Sequence, residues 1–99
     1  MEIECLRYKA VNIGSLIGVA DFYIPDFNLE IYGITLHQKS GKRCISMPTK
    51  EYHTQDGKKH RYSVLKLTDS HFAAQFQKNA KLAIEEWCKK DFEKLRDIL

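Results

Sequence analysis

The sequence predicts an α+β domain: a twisted antiparallel β-sheet of about five strands, one C-terminal amphipathic helix and a protruding basic hairpin arm. Short β-branched and aromatic segments separated by turn residues fill the first two thirds of the chain, as in a meander of strands. After Leu67 the apolar residues fall three or four apart, which is typical of a helix. At 99 residues we expect one domain, with the sheet in 1–67 and the helical part in 68–99.

Five strands are predicted in chain order. Their sequences are EIECLRY, LIGVADFYI, LEIYGITLH, RCISM and RYSVLKL. Pro25, Asp26 and Asn28 predict a turn after the second strand, and Gly41 predicts one after the third. The third strand has apolar residues at both alternating sets of positions, so we expect a central strand covered on both faces.

The longest connection runs from Pro48 to His60 and contains Asp56–Gly57. Asp-Gly is a strong signal for a tight turn between two strands. It favours an arm in which strands four and five continue past the sheet. A plain exposed loop is the alternative.

The C-terminal helix is predicted from its cap residues and its apolar stripe. Thr68, Asp69 and Ser70 are all suitable N-caps. The stripe that should cover the sheet consists of Phe72, Phe76, Ala80, Ala83 and Trp87.

A single helix reaching Leu99 would be about 45 Å long, more than the width of a domain of this size. We therefore expect a break near Lys90–Asp91. Beyond it, Phe92, Leu95 and Ile98 repeat at helical spacing. An apolar stripe outside the domain's own core needs a partner, and a second copy of the chain, hence a homodimer, is the simplest one.

The net charge of +3 is unevenly distributed. Residues 1–36 carry a net charge of −3, residues 37–66 carry +6, and residues 67–99 are balanced. Such segregation is typical of a protein that binds a polyanion.

The basic segment combines cations with aromatic rings, as phosphates and unstacked bases require. The candidate nucleic-acid-binding residues are Lys39, Lys42, Arg43, Lys50, Tyr52, Lys58, Lys59, His60, Arg61 and Tyr62. Their cations could form one row if strands three to five are neighbours. Lysines outnumber arginines six to two in residues 37–66, which favours backbone contact and a weak sequence preference. The alternative is a protein–protein interaction module whose basic arm binds an acidic partner.

Motifs for catalysis are lacking, since the chain has no glycine-rich phosphate loop and no nucleophile elbow. We expect no enzyme activity, no cofactor and no small-molecule substrate. His53, His60 and Asp56 lack a recognised ligand spacing, so no metal site is expected. Cys44, beside Arg43, is predicted to be a small buried hydrophobe.

Three cysteines without close pairing predict a reduced, cytoplasmic protein. The opening MEIEC is acidic, unlike a cationic secretory leader. No apolar run approaches the ~20 residues of a membrane span, so no membrane partner is expected.

Several short pieces follow one another along the chain: an opening MEI, the strand at Val19–Ile24, the strand at Leu29–Leu36, a glycine turn, ISMPTK at Ile45–Lys50, and a DG turn followed by Arg61. In their order and spacing these pieces resemble the stage V sporulation protein G (SpoVG) family. ISMPTK is the most specific piece, with Thr49 where the family has serine. The resemblance covers roughly residues 2–90.

This resemblance implies a β-sheet with a helix against it, a homodimer, and a bacterial regulator linked to sporulation and septation that binds DNA and RNA. Carried over residue by residue, the match reaches Met47, Pro48, Lys50, Asp56, Gly57 and Arg61. Family members begin their helix with a basic segment, whereas here Asp69, Phe72 and Phe76 stand at that point. The resemblance therefore leaves the strand and arm cations as the expected contact surface.

Overall fold

The computed structural model describes the backbone of residues 1–98 and the side chains of residues 1–90. It confirms the α+β class, with a four-stranded sheet, a separate two-stranded sheet and one C-terminal helix. The elements in chain order are β1 (Glu4–Ile13), β2 (Leu16–Ile24), a 3-10 turn (Pro25–Phe27), β3 (Leu29–Lys39), β4 (Lys42–Ser46), β5 (Thr49–His53), β6 (Lys59–Ser63) and α1 (Ser70–Ile98). No helix of the described part is both long and apolar enough to cross a membrane.

The first sheet is an antiparallel meander in the order β1-β2-β3-β4. The turns between the strands contain residues that adopt left-handed backbone easily. Gly14 has φ +58° between β1 and β2, and Asn28 is left-handed after the 3-10 turn. Along β2, Ala20, Phe22 and Ile24 are buried while the residues between them are half-buried. One face of the sheet therefore meets the helix, and the other stays more open.

A β-bulge in β3 explains why that strand is apolar at both alternating sets of positions. Ile31 pairs with Phe22 and Ile34 with Ala20, so two residues of β3 oppose Asp21 alone. Gly33 takes φ +74° there and donates its N–H to Asp21 Oδ1 at 2.9 Å. The extra residue turns both isoleucines toward the helix. The prediction that β3 is covered on both faces is wrong, since Tyr32 is exposed on the other side.

Helix α1 begins at one of the three expected caps, because Asp69 Oδ1 accepts the His71 N–H at 2.9 Å. Among its residues up to Lys90, four are buried against the sheet: Phe76, Ala80, Ala83 and Ile84. Phe76 meets Phe22 edge to face, with ring centroids 6.5 Å apart. This confirms the central part of the predicted stripe, whereas Phe72 and Trp87 at its two ends are half-buried.

The helix also covers an edge of the sheet. The side-chain amide of Gln77 accepts the Ile45 N–H at 2.8 Å and donates to the Ile45 carbonyl. Because β4 is an edge strand, these backbone groups would otherwise lack a partner. A single polar side chain of α1 thus fixes the end of the sheet to which the arm is joined.

The end of the chain continues helix α1. The break near Lys90–Asp91 is not found, because α1 runs from Ser70 to Ile98 as one helix. No glycine or proline interrupts it, and the molecule is elongated, with a longest dimension of 55 Å, so the width of an average domain does not limit it. The predicted apolar stripe of Phe92, Leu95 and Ile98 lies outside the residues whose side chains the structure describes.

Candidate nucleic-acid interface

The basic segment folds into a two-stranded hairpin, β5 and β6, which we call the arm (Thr49–Ser63). The predicted fifth strand does not join the main sheet. Its residues 61–63 are the second half of β6, which pairs with β5 in a sheet of its own, while Val64–Leu67 lie outside any strand. All ten residues of β5 and β6 are exposed. The segment is therefore a hairpin and not a plain loop.

The arm is joined to the core at its base. The Val64 N–H donates to the Pro48 carbonyl at 3.1 Å and ties the two legs together. Met47, Leu65 and Leu67 flank this point and pack against the hydrophobic core. Pro48 separates β4 from β5, because proline has no backbone N–H to donate to the hydrogen bonds between strands. The arm thus extends from an anchored base.

The tip of the arm is a five-residue loop from Thr54 to Lys58. Gly57 has φ +82° and donates its N–H to the Thr54 carbonyl at 2.9 Å. The Asp56 carboxylate accepts from the Thr54 hydroxyl and from the Lys58 N–H. These hydrogen bonds lower the pKa of Asp56, with the Thr54 bond as the larger cause. The acidic residue at the tip is therefore used to shape the turn.

One face of the arm carries its aromatic rings. Tyr52 pairs directly with His60, and their rings stack with centroids 5.2 Å apart and planes 20° apart. Tyr62 lies beside Tyr52 at 5.7 Å and is tilted by 56°. Lys50 pairs with Tyr62, so strand alternation puts its side chain on the same face. We call these four residues the aromatic face.

The opposite face contains an ion pair. Glu51 pairs with Arg61, whose Nε and Nη2 both donate to Glu51 Oε1, at 3.1 and 2.8 Å. The Arg61 hydrogen bond and charge hold the pKa of Glu51 below its ordinary value. His53 and Lys59 form the next pair on this face. The charge of Arg61, a predicted binding residue, is therefore compensated within the arm.

The remaining predicted residues lie in the β3–β4 hairpin. Lys39 pairs with Lys42, and Arg43 donates from Nε to the Gln38 side chain at 3.3 Å. All three cations are exposed, at the end of β4 that is remote from Pro48. The expected single row of cations is not formed, because β6 pairs with β5 and not with the main sheet. The basic residues instead form two groups.

Sequence reasoning missed Glu51 as the partner of Arg61. A two-residue turn centred on Asp56–Gly57 would place Tyr52, not Glu51, opposite Arg61. The five-residue loop shifts the pairing by one position, and such a shift exchanges the side chains that face each other. The opposite charges of Glu51 and Arg61 are the feature of the sequence that could have indicated this pairing.

Other parts of the described chain offer less to a ligand. The helix start is structural: Asp69 caps α1, Phe72 packs beside Phe27 with centroids 6.2 Å apart, and Phe76 lies in the core. No group of three or more histidine, cysteine or acidic side chains in the described part is placed to hold a metal ion. Cys44 is exposed, contrary to prediction, because it pairs with His37 on the face that the helix does not cover.

No known family model matches the chain, and no curated protein matches it. The resemblance to SpoVG proteins therefore stays a prediction.

Proposed function

We propose that the protein is a nucleic-acid-binding regulator that uses the arm as its contact surface, has weak sequence preference and has no catalytic activity. The observation that carries this proposal is a protruding hairpin whose cations and aromatic rings are exposed together. The arm has four cationic and two acidic side chains. Both acids are engaged within the arm, Glu51 by Arg61 and Asp56 by the turn. The lysines stay available for phosphates.

The same proposal includes a homodimer in the cytoplasm. The SpoVG resemblance supports the dimer, and so does the apolar spacing of Phe92, Leu95 and Ile98 in the sequence. Cys5, Cys44 and Cys88 are free thiols, which suits a reducing compartment. Light scattering coupled to gel filtration tests the dimer, and a mass of one chain at micromolar concentration contradicts it.

A fluorescence-anisotropy titration with generic single- and double-stranded oligonucleotides at two salt concentrations tests nucleic-acid binding. Affinity should fall log-linearly with salt, because bound cations release counterions. The variant Lys58→Ala/Lys59→Ala should reduce the slope by about 0.7–0.9 for each phosphate that the protein no longer neutralises. The matched control, Lys78→Ala/Lys81→Ala on α1, removes the same charge and should leave the slope nearly unchanged. Absence of binding to every oligonucleotide at low salt refutes the proposal.

A protein–protein interaction role is the second candidate, favoured by the exposed Tyr52 and Tyr62 on the arm. Tyrosines anchor many interfaces, and the neighbouring lysines would suit an acidic partner. In that case polyglutamate should bind the arm while oligonucleotides do not. Competition between the two probes in one titration separates the candidates.

A further inference from the structure

We propose that the aromatic face of the arm binds unpaired bases, so that the protein selects single-stranded nucleic acid, DNA or RNA, over a duplex. This inference rests on the proposed function and adds the kind of strand that is bound and the face that binds it. It follows from three features of the arm: its stacked rings, its distribution of cations and the engagement of its arginine.

The rings form a platform that remains open to solvent. Tyr52 and His60 stack nearly parallel across the hairpin, and Tyr62 continues the patch. Cross-strand aromatic pairs also stabilise a hairpin. Even so, Tyr52 is 46% and Tyr62 49% exposed, so each residue keeps nearly half of its surface open to solvent. Every base has a π-face that can stack on such a ring, without a requirement for sequence.

Charge complementarity favours a nucleic-acid strand over an apolar partner on this platform. Lys50 is opposite Tyr62 on the same face, and Lys58 lies in the tip loop, whereas Lys59 belongs to the other face. A strand whose bases stack on Tyr52 and Tyr62 would have its phosphates beside Lys50 and, toward the tip, Lys58. Single-strand binders combine stacking rings with cations along the backbone in this way.

The opposite face argues against recognition of a duplex. A two-stranded ribbon can enter the major groove, and arginine reading guanine is the commonest specific contact there. Arg61 is the arm's one arginine, and Glu51 occupies two of its donor groups. The Glu51 carboxylate would also face the phosphates. In a duplex the flat surfaces of the bases are already stacked, so the aromatic face has no ring to bind unless a base is extruded, which costs free energy.

The experiment compares the affinity of the full chain for three labelled probes of about ten nucleotides: oligo(dT), oligo(rU) and a blunt DNA duplex. The test variants are Tyr52→Ala and Tyr62→Ala. His53→Ala is the matched control, because it removes an exposed ring from the other face of β5. Tyr52→Phe keeps the stacking surface. We expect each test variant to weaken single-strand binding by about 5- to 150-fold and each control by less than about twofold.

Two results overturn this inference while the proposed function stands: equal affinity of the wild type for duplex and single strand, or test variants no weaker than His53→Ala. Failure of the wild type to bind any of the three probes at low salt refutes the proposed function itself. Equal affinity for oligo(dT) and oligo(rU) is expected if stacking dominates. A preference for one of them beyond about tenfold would contradict sequence-tolerant stacking as the sole source of affinity.

A measurement on the wild type tests base stacking without depending on whether a variant folds. Ring-proton NMR signals of Tyr52, His60 and Tyr62 should shift upfield when oligo(dT) is added, because a stacked base shields the ring beneath it. The ring signals of His53 should move much less. Shifts confined to backbone amides near Lys58 and Lys59 would mean contact with phosphate alone and would refute base stacking.

Discussion

The four-stranded sheet and the arm are both built from antiparallel hairpins with glycine-containing turns, but they are held together differently. One face of the sheet is covered by α1, and the largest fully buried side chains of its core are Phe22, Ile34, Leu36 and Phe76. The arm has no buried residue in either strand. It relies on ladder hydrogen bonds, an ion pair, a shaped turn and one aromatic patch.

Because of this difference, we expect the sheet to determine the stability of the protein and the arm to offer the side chains for binding. Burial of apolar surface stabilises the sheet–helix unit and leaves few of its side chains free for a ligand. A two-stranded hairpin is marginally stable in water on its own, so the arm depends on its anchored base. Its side chains, in turn, are available for binding. Substitutions should therefore change stability in the sheet and affinity in the arm.

The largest expected effect is that of Phe76→Ala. Removing this ring leaves a cavity against Phe22 and should lower the free energy of unfolding by about 3–5 kcal/mol. Tyr52→Ala, which removes an exposed ring from the arm, is the matched control and should cost below about 1 kcal/mol. Urea denaturation followed by circular dichroism measures both. Equal losses would mean that the arm is part of the cooperative core.

The next largest difference is expected in the protection of backbone amides from hydrogen exchange. We expect amides in β5 and β6 to be protected at least about 100-fold less than paired amides in β2 and β3, because the arm opens locally without loss of the core. Amide exchange followed by NMR measures this ratio. Similar protection in the four strands would show that the arm and the sheet unfold as one unit.

A smaller loss of stability is expected from Gly18→Ala. A Cβ at this position would overlap the ring of Tyr8, whose hydroxyl donates to the Ile17 carbonyl at 3.3 Å. Moving the ring should cost about 1–3 kcal/mol. In a Tyr8→Ala background the same substitution should cost markedly less, which a double-mutant cycle measures. An unchanged cost in that background would place the cause elsewhere.

The smallest expected effect is the pH dependence of the arm. The pKa of Glu51 lies below its ordinary value of 4.5, so the ion pair contributes fully above that pH and is lost as the pH falls through the lowered value. Arm protection, corrected for intrinsic exchange, should decline below about pH 4.5. Glu51→Gln should remove part of this decline, and Asp56, whose pKa is also lowered, should supply the rest. If the decline in protection is the same in Glu51→Gln as in the wild type, the pH dependence comes from Asp56 at the tip alone.

Much of the fold follows from local chemistry. Strand β2 coincides with the predicted LIGVADFYI, and the turns fall at Gly14, Asn28, Gly41 and Gly57 as their positive φ angles require. Asp69, one of three predicted N-cap candidates, caps α1, and the central apolar stripe of α1 covers the sheet. These features depend on residues close together in the chain, so the sequence pattern was sufficient.

Features that depend on distant residues could not be predicted in this way. The bulge at Gly33 places Ile31 and Ile34 on one face, and the exposure of Cys44 follows from the face that α1 leaves open. In the arm, a one-residue difference in loop length decides that Tyr52 faces His60 and that Glu51 faces Arg61. The basic segment and its aromatic residues could be identified from the composition of the sequence alone. Their division into an aromatic face and an ion-paired face arises from strand register, because a side chain's neighbours across a sheet are set by pairing between strands and not by its own position in the chain.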